Sequence, residues 1–244
     1  MTQSQGTESG LTAVLVHGAF ADASSWSAVV GQLHAAGLDV RAVANPLRGL
    51  AADAGYVADM VADIEGPVLL VGHSYGGAVI SNAAAELPQA VGLVFITAFA
   101  PEEGESLASI GERFPATLMG PALRQTVVRA ADGGKAVDLS VDRARFPAVF
   151  AADVAPADAA VMAASQRPIA AAGFADASGV PAWRRLPSWY LVATDDQAIH
   201  VDAQRHMARR AGSHITETAG SHAVMVSQPT AVADVIITAA RTLR

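Results

Sequence analysis

Val68-Leu69-Leu70-Val71-Gly72-His73-Ser74-Tyr75-Gly76-Gly77-Ala78-Val79-Ile80 decides the fold of this chain. Four apolar residues, suited to a strand buried on both faces, run into Gly72-His73-Ser74-Tyr75-Gly76, and a second apolar stretch led by Gly77 follows. The pattern is a G-x-S-x-G elbow between a strand and a helix. Small residues beside the serine let the backbone hold a strained turn that lifts the hydroxyl clear of the sheet. Five matching residues alone carry little weight; the buried strand before them and the apolar helix after them give the match its meaning.

On the N-terminal side the same rhythm repeats. Residues 11–16 are apolar and end at His17-Gly18, and Trp26, Val29, Val30 and Leu33 recur at helical spacing until Gly37. Residues 38–44 read as the next strand, and Tyr56, Val57, Met60, Val61 and Ile64 as the next helix, closed by Gly66-Pro67. After the elbow helix, predicted to run to about Leu87, comes an apolar strand over 91–100 ending at Pro101. Strands that alternate with helices predict a mostly parallel, doubly wound α/β sheet. The rhythm breaks over 101–186, which carries six further prolines after Pro101, helical fragments such as 157–165 and no clear buried strand. We read it as a helical cap inserted into a core formed by 11–100 and 187–244, packed on that core as a lid. Strand character returns at 188–193, followed by a helix near 201–211, a strand near 214–219 and a closing helix over 229–243. Residues 1–10 are polar and read as a flexible N-terminus.

Composition narrows the possibilities. Hydrophobic residues make up 52% of the 244 and charged residues 16%, so a large core is available. No apolar run approaches the roughly 18 residues of a membrane helix, and residues 1–10 carry no secretory signal, so a cytoplasmic location is expected. A net charge of -7 disfavours a nucleic-acid partner. There is no cysteine, which excludes disulfides, thiolate metal sites and a cysteine nucleophile. Lys135 is the only lysine and lies in what reads as an exposed turn, so Schiff-base chemistry is not expected. With no H-E-x-x-H, no G-x-G-x-x-G opening and no Walker loop, neither a metal nor any other cofactor is expected.

A serine hydroxyl is a weak nucleophile and needs a base in reach and a carboxylate to orient that base. In open parallel sheets such residues belong at the carboxyl ends of strands. His222, in Gly220-Ser221-His222, follows the last predicted strand; His34 and His206 lie on predicted helices and His214 begins a strand. Asp195 and Asp196 follow the strand over 188–193, and the residues alone leave the choice between them open. The order Ser74, aspartate, His222 is the one that accompanies this elbow. An acyl-transfer site also needs two backbone N–H groups aimed at the developing oxyanion. Tyr75, after the serine, and Ala19, in the loop His17-Gly18-Ala19-Phe20, are placed to supply them. His17 then reads as a structural histidine bonded to backbone.

Val16-His17-Gly18-Ala19 with Trp26, the Gly-His-Ser-Tyr-Gly-Gly elbow, the turn Thr194-Asp195-Asp196-Gln197-Ala198-Ile199 and Ser221-His222 together resemble one group of α/β-hydrolase fold enzymes. That group contains plant methyl-salicylate esterases, bacterial pyrethroid-hydrolysing carboxylesterases and hydroxynitrile lyases, and the resemblance covers nearly the whole chain from Leu11. It implies Asp196 as the catalytic carboxylate, as the second acidic residue of the turn. Hydroxynitrile lyases resemble a variant with lysine after the catalytic histidine and threonine after the first-loop histidine. Here those places hold Ala223 and Gly18, so ester hydrolysis by Ser74, Asp196 and His222 is the expected activity. The aromatic residues Phe20, Phe114, Phe146, Phe150 and Trp183 are candidates to line an apolar pocket for a hydrophobic or aromatic small-molecule ester. One elbow serves many reactions, so a lactone, a thioester, a carbon–carbon bond or a slow-turnover receptor role are the alternatives.

Overall fold

The computed structural model describes residues 10–130 and 133–243. Apart from Gly10, the N-terminal segment expected to be flexible lies outside the described residues, as does Asp132 of the turn before Lys135. The chain begins with β1 (Thr12–Val16), a 3-10 turn (Ala23–Trp26), α1 (Ser27–Ala35), β2 (Asp39–Val43) and α2 (Leu50–Ala62). The elbow follows as β3 (Val68–His73) and α3 (Tyr75–Ala83), then β4 (Ala90–Ile96). The interposed segment holds α4 (Leu107–Gly111), α5 (Met119–Ala122), β5 (Leu123–Arg129), β6 (Lys135–Val141), α6 (Phe146–Phe150), α7 (Pro156–Ser165), β7 (Ile169–Ala170) and α8 (Ala172–Ala175). The core resumes with β8 (Ser188–Ala193), α9 (Val201–Arg210), β9 (His214–Thr218), α10 (Val224–Ser227) and α11 (Pro229–Thr242).

The main sheet has six strands in the order β2-β1-β3-β4-β8-β9, every neighbouring pair parallel. Its central strands are continuously apolar because both of their faces are covered. Alternate residues serve two cores. Ala13, Leu15, Leu69, Val71, Val94, Ile96, Trp189 and Leu191 face the layer that contains Trp26, Leu33, Val232 and Ile236. Val14, Val16, Leu70, Leu93, Phe95, Tyr190 and Val192 face the other, which contains Val57, Val61, Val79 and Met207. Each fully buried side chain of this size contributes roughly 1.5–3 kcal/mol. Strand ends at Val16, His73, Ile96, Ala193 and Thr218 thus all open on one edge of the sheet, where the following loops gather.

The segment between β4 and β8 packs on the second core through Leu107, Met119, Phe146, Phe150, Ile169 and Trp183. It is not wholly helical, which corrects the sequence expectation: β5, β6 and β7 form a separate antiparallel sheet in that order. Most of β5 is exposed, so it presents no buried apolar run. A hairpin held by cross-strand backbone bonds can dispense with one.

Candidate active site

The elbow is strained. Ser74 has φ 53° and ψ −124°, a left-handed conformation uncommon outside glycine. Its backbone is pinned on both sides: Ser74 N–H donates to Ile96 O at 3.3 Å, and its carbonyl accepts from Gly77 N at 3.0 Å and Phe99 N at 3.0 Å. The turn needs its glycines because backbone passes where side chains would go. A Cβ on Gly72 would lie 2.5 Å from Gly76 O, and one on Gly76 would lie 2.4 Å from Val16 O.

Ser74 Oγ lies 2.8 Å from His222 Nε2, and His222 Nδ1 lies 2.8 Å from Asp196 Oδ2. All three residues are buried. His222 arrives on the loop after β9, where Ser221 N–H donates to Asp153 Oδ2 at 3.1 Å and Ala223 N–H donates to Phe150 O at 2.8 Å. The Phe150 ring meets the imidazole edge-on, with centroids 4.7 Å apart. Asp196 is oriented by its own turn: Oδ1 accepts from Ala198 N at 2.7 Å and Ile199 N at 3.1 Å. Its Oδ2 also accepts from Gln204 Nε2 at 2.8 Å. Asp195 is exposed and does not reach the imidazole. Three further histidines have other roles: His200 caps α9, His206 packs on Phe114 and His214 stacks on Trp189.

His17 and His73 are structural. His17 donates from Nδ1 to Gly18 O at 2.8 Å and accepts Asn45 N–H at Nε2 at 3.0 Å. Burial lowers its pKa to about 4, against a smaller opposing effect of the Gly18 carbonyl, so it is neutral at pH 7. His73 points Nε2 at His222 O, 2.9 Å away, and leaves Nδ1 buried without a partner among the described residues. Burial first, and the His222 charge second, hold its pKa well below the usual range. The backbone amides of Ala19 and Tyr75 have no hydrogen-bond partner among the described residues and border the same cavity as Ser74. The Tyr75 phenol points away and donates to the buried Asp53 Oδ2 at 2.7 Å. Burial, then the Asp53 charge, push its pKa up.

A family model described as "Alpha/beta hydrolase family" matches residues 13–235. The chain belongs to the alpha/beta hydrolase family. A pyrethroid hydrolase of Sphingobium wenxiniae is 29% identical over 248 residues, covering 91% of this chain and 85% of the relative. The crystal structure of polyneuridine aldehyde esterase superposes with a TM-score of 0.82 at 21% identity, covering 94% of this chain and 99% of that one. Tomato methylketone synthase I, solved with 2-tridecanone, superposes with a TM-score of 0.80 at 19% identity, covering 96% and 99%. These relatives match the esterase-like group that the motifs resemble.

In this alpha/beta hydrolase a narrow cavity of about 30 Å³ lies over Ser74 and His222. Ala19, Phe20, Tyr75, Phe99, Leu107, Met119, Phe174, Ala198 and Ile199 complete its lining. Of the five aromatic candidates, Phe20 lines this cavity and the other four do not. Phe114 lines a neighbouring hollow behind Phe99 and Ile199. Phe146 is buried and stacks on Phe150, which buttresses His222. Trp183 is anchored by an Nε1–H bond to Pro101 O at 3.1 Å, beneath the Arg210 guanidinium. The physical reason is packing: these rings close the seam between segment 101–186 and the core instead of facing the cavity. Sequence reasoning also missed Gln204, whose signal is a polar residue on the buried face of α9, beside Ala203 and Ala208.

Proposed function

We propose that this chain is a serine carboxylesterase acting on a small, apolar or aromatic carboxylic ester. The observation that carries the reading is the unbroken chain Ser74 Oγ to His222 Nε2 to His222 Nδ1 to Asp196 Oδ2, with 2.8 Å at each link, mounted on a strained turn facing an apolar cavity. In this reading the Ser74 hydroxyl proton passes to His222 Nε2 as Oγ attacks the ester carbonyl. Asp196 keeps the other ring hydrogen on Nδ1 and stabilises the imidazolium that forms. The negative charge on the carbonyl oxygen is received by the Ala19 and Tyr75 amides, whose contribution in such sites is roughly 10²–10³ in rate per donor. His222 then returns the proton to the departing alkoxide, and water, activated by the same ring, cleaves the acyl-enzyme. The lining of Phe20, Phe99, Phe174, Leu107 and Met119 supports an apolar acyl or alcohol group. Names of relatives point the same way: one is a pyrethroid hydrolase and another polyneuridine aldehyde esterase.

Fluorophosphonate labelling with a p-nitrophenyl ester panel tests the reading. Wild type is expected to label and to turn over short apolar esters. Ser74→Ala is expected to do neither, and His222→Ala to lose at least about 10³-fold in both rates. Normal labelling of His222→Ala, or turnover by Ser74→Ala, would overturn it.

A further inference from the structure

One side chain outside the Ser74, His222 and Asp196 set also reaches the imidazole. Thr97 follows the last residue of β4, and its Oγ1 lies 3.1 Å from His222 Nδ1. It has no solvent exposure. Its φ is 37°, and for a β-branched residue a positive φ is a genuine outlier. The surroundings enforce that conformation. Thr97 N–H donates to Leu191 O at 2.9 Å, Ile96 O accepts from Ser74 N, and Ser74 O accepts from Phe99 N. The Tyr190 hydroxyl donates to Ala98 O and accepts from Ala98 N. Peptide 96–99 is therefore clamped both to β8 and to the backbone of Ser74 itself. Glycine or asparagine would adopt this conformation more readily, yet the position carries a threonine whose hydroxyl meets the ring nitrogen that Asp196 also meets. Strain of this kind gathers where a site is built and is held by its surroundings.

We propose that Thr97 is a positioning residue for His222, its hydroxyl serving as a second acceptor for the Nδ1 hydrogen. This rests on the reading of Ser74 as nucleophile and His222 as base. A neutral imidazole carries one ring hydrogen, and Nε2 is free to accept the Ser74 proton only when that hydrogen is on Nδ1. The Asp196 carboxylate can only accept, so it holds the hydrogen there. A single acceptor fixes a direction but leaves the ring free to tilt about it; a second oxygen, approaching from β4 and not from the turn after β8, removes that freedom. The Phe150 and His73 rings, 4.7 and 4.8 Å away by centroid, close the ring's other sides without touching Nδ1. Nε2 then stays aimed at Ser74 Oγ, and the imidazolium formed during attack has two oxygens facing its Nδ1–H.

The test compares wild type with Thr97→Val, which keeps the β-branch and loses the hydroxyl, and Thr97→Ser, which keeps the hydroxyl. Two readouts are needed: kcat and KM on a p-nitrophenyl ester, and the low-field proton resonance of the His222 Nδ1–H. Thr97→Val is expected to lower kcat about three- to ten-fold, the worth of one hydrogen bond, with KM nearly unchanged. Its low-field resonance is expected to move or broaden. Thr97→Ser is expected to recover most of the loss and the wild-type resonance. Equal kcat in the valine and serine variants, or an unmoved resonance in Thr97→Val, overturns the proposal. Thr97→Ala takes the place of valine, under the same two outcomes, if Thr97→Val does not fold. Ser74→Ala separates the two readings: turnover in that variant brings down the nucleophile assignment, whereas an inert Ser74→Ala beside an unaffected Thr97→Val brings down only the role of Thr97.

Discussion

Gly18 shows how little freedom the site leaves at single positions. A Cβ there would lie 2.6 Å from Ser74 Cβ and 2.8 Å from His73 O, and neither the serine nor the strand backbone can yield without moving the elbow. Gly18→Thr is therefore expected to displace the first loop, lowering ester turnover at least about 10²-fold. It should also cost roughly 2 kcal/mol of stability, or about 4–8 °C in Tm for a chain of this size. Thermal melts and a p-nitrophenyl ester assay check it, and wild-type turnover in the variant would contradict the packing argument. At this scale the sequence was unevenly legible. Ser74 and His222 stood out because each lies in the turn or loop after a strand that ends at the loop-bearing edge of the sheet. Asp195 and Asp196 are chemically identical neighbours, and only the path of the turn buries one and exposes the other. The lining of the cavity was less legible still, since which side of a short helix faces Ser74 depends on how segment 101–186 docks.

Among the elements, α9 ties that segment to the core. Its last-turn Arg210 grips Glu105 with both nitrogens at 2.8 Å and also donates to Ala100 O at 2.9 Å, while Arg113 reaches Glu105 from the end of α4 at 2.6 Å. Burial pushes the Glu105 carboxyl up, but the Arg210 hydrogen bonds, the Glu102 amide and the two guanidinium charges outweigh it and hold the pKa at about 2. Because the folded value is depressed, the stabilisation is present above the usual carboxylate pKa near 4.5 and is lost as pH falls through about 2. The group is partly solvated, so screening reduces its worth to about 1 kcal/mol. Glu105→Gln is expected to lower Tm by roughly 2–4 °C at pH 7, with the difference from wild type shrinking as pH drops below 4. Calorimetry on both proteins across that range checks it; a pH-independent difference would point to packing in place of charge. The Arg210–Glu105 link is not visible in sequence, because its members are 105 residues apart. The α/β rhythm was visible because strands covered on both faces must be apolar throughout, whereas the β5–β6 hairpin, stabilised across its ladder and half solvated, carries no such signature.

For the whole molecule, the two histidines that brace the site predict where acid will first weaken it. His17 joins the first loop to the end of β2 through Asn45, and His73 joins β3 to the His222 loop. Both are buried with lowered pKa, His17 to about 4. A histidine whose folded value is depressed stabilises the fold fully above its unfolded value near 6.5 and loses that contribution as pH falls toward the folded value. For His17 the full contribution is at most about 3 kcal/mol, a large share of the roughly 5–15 kcal/mol that holds a domain together. Protonated His73 would add a charge whose Nδ1–H has no acceptor among the described residues. The urea midpoint is thus expected to fall by roughly 1 M between pH 7 and pH 4.5, before the Glu105 network begins to titrate. His17→Gln should start from a lower midpoint at pH 7, since the Asn45 and Gly18 contacts are disturbed, yet show a shallower decline with pH. A midpoint that stays level from pH 7 to pH 5 in wild type would mean that the buried imidazoles do not govern acid stability. Parallel slopes in the two proteins would assign the decline to His73 or to carboxylates, and not to His17.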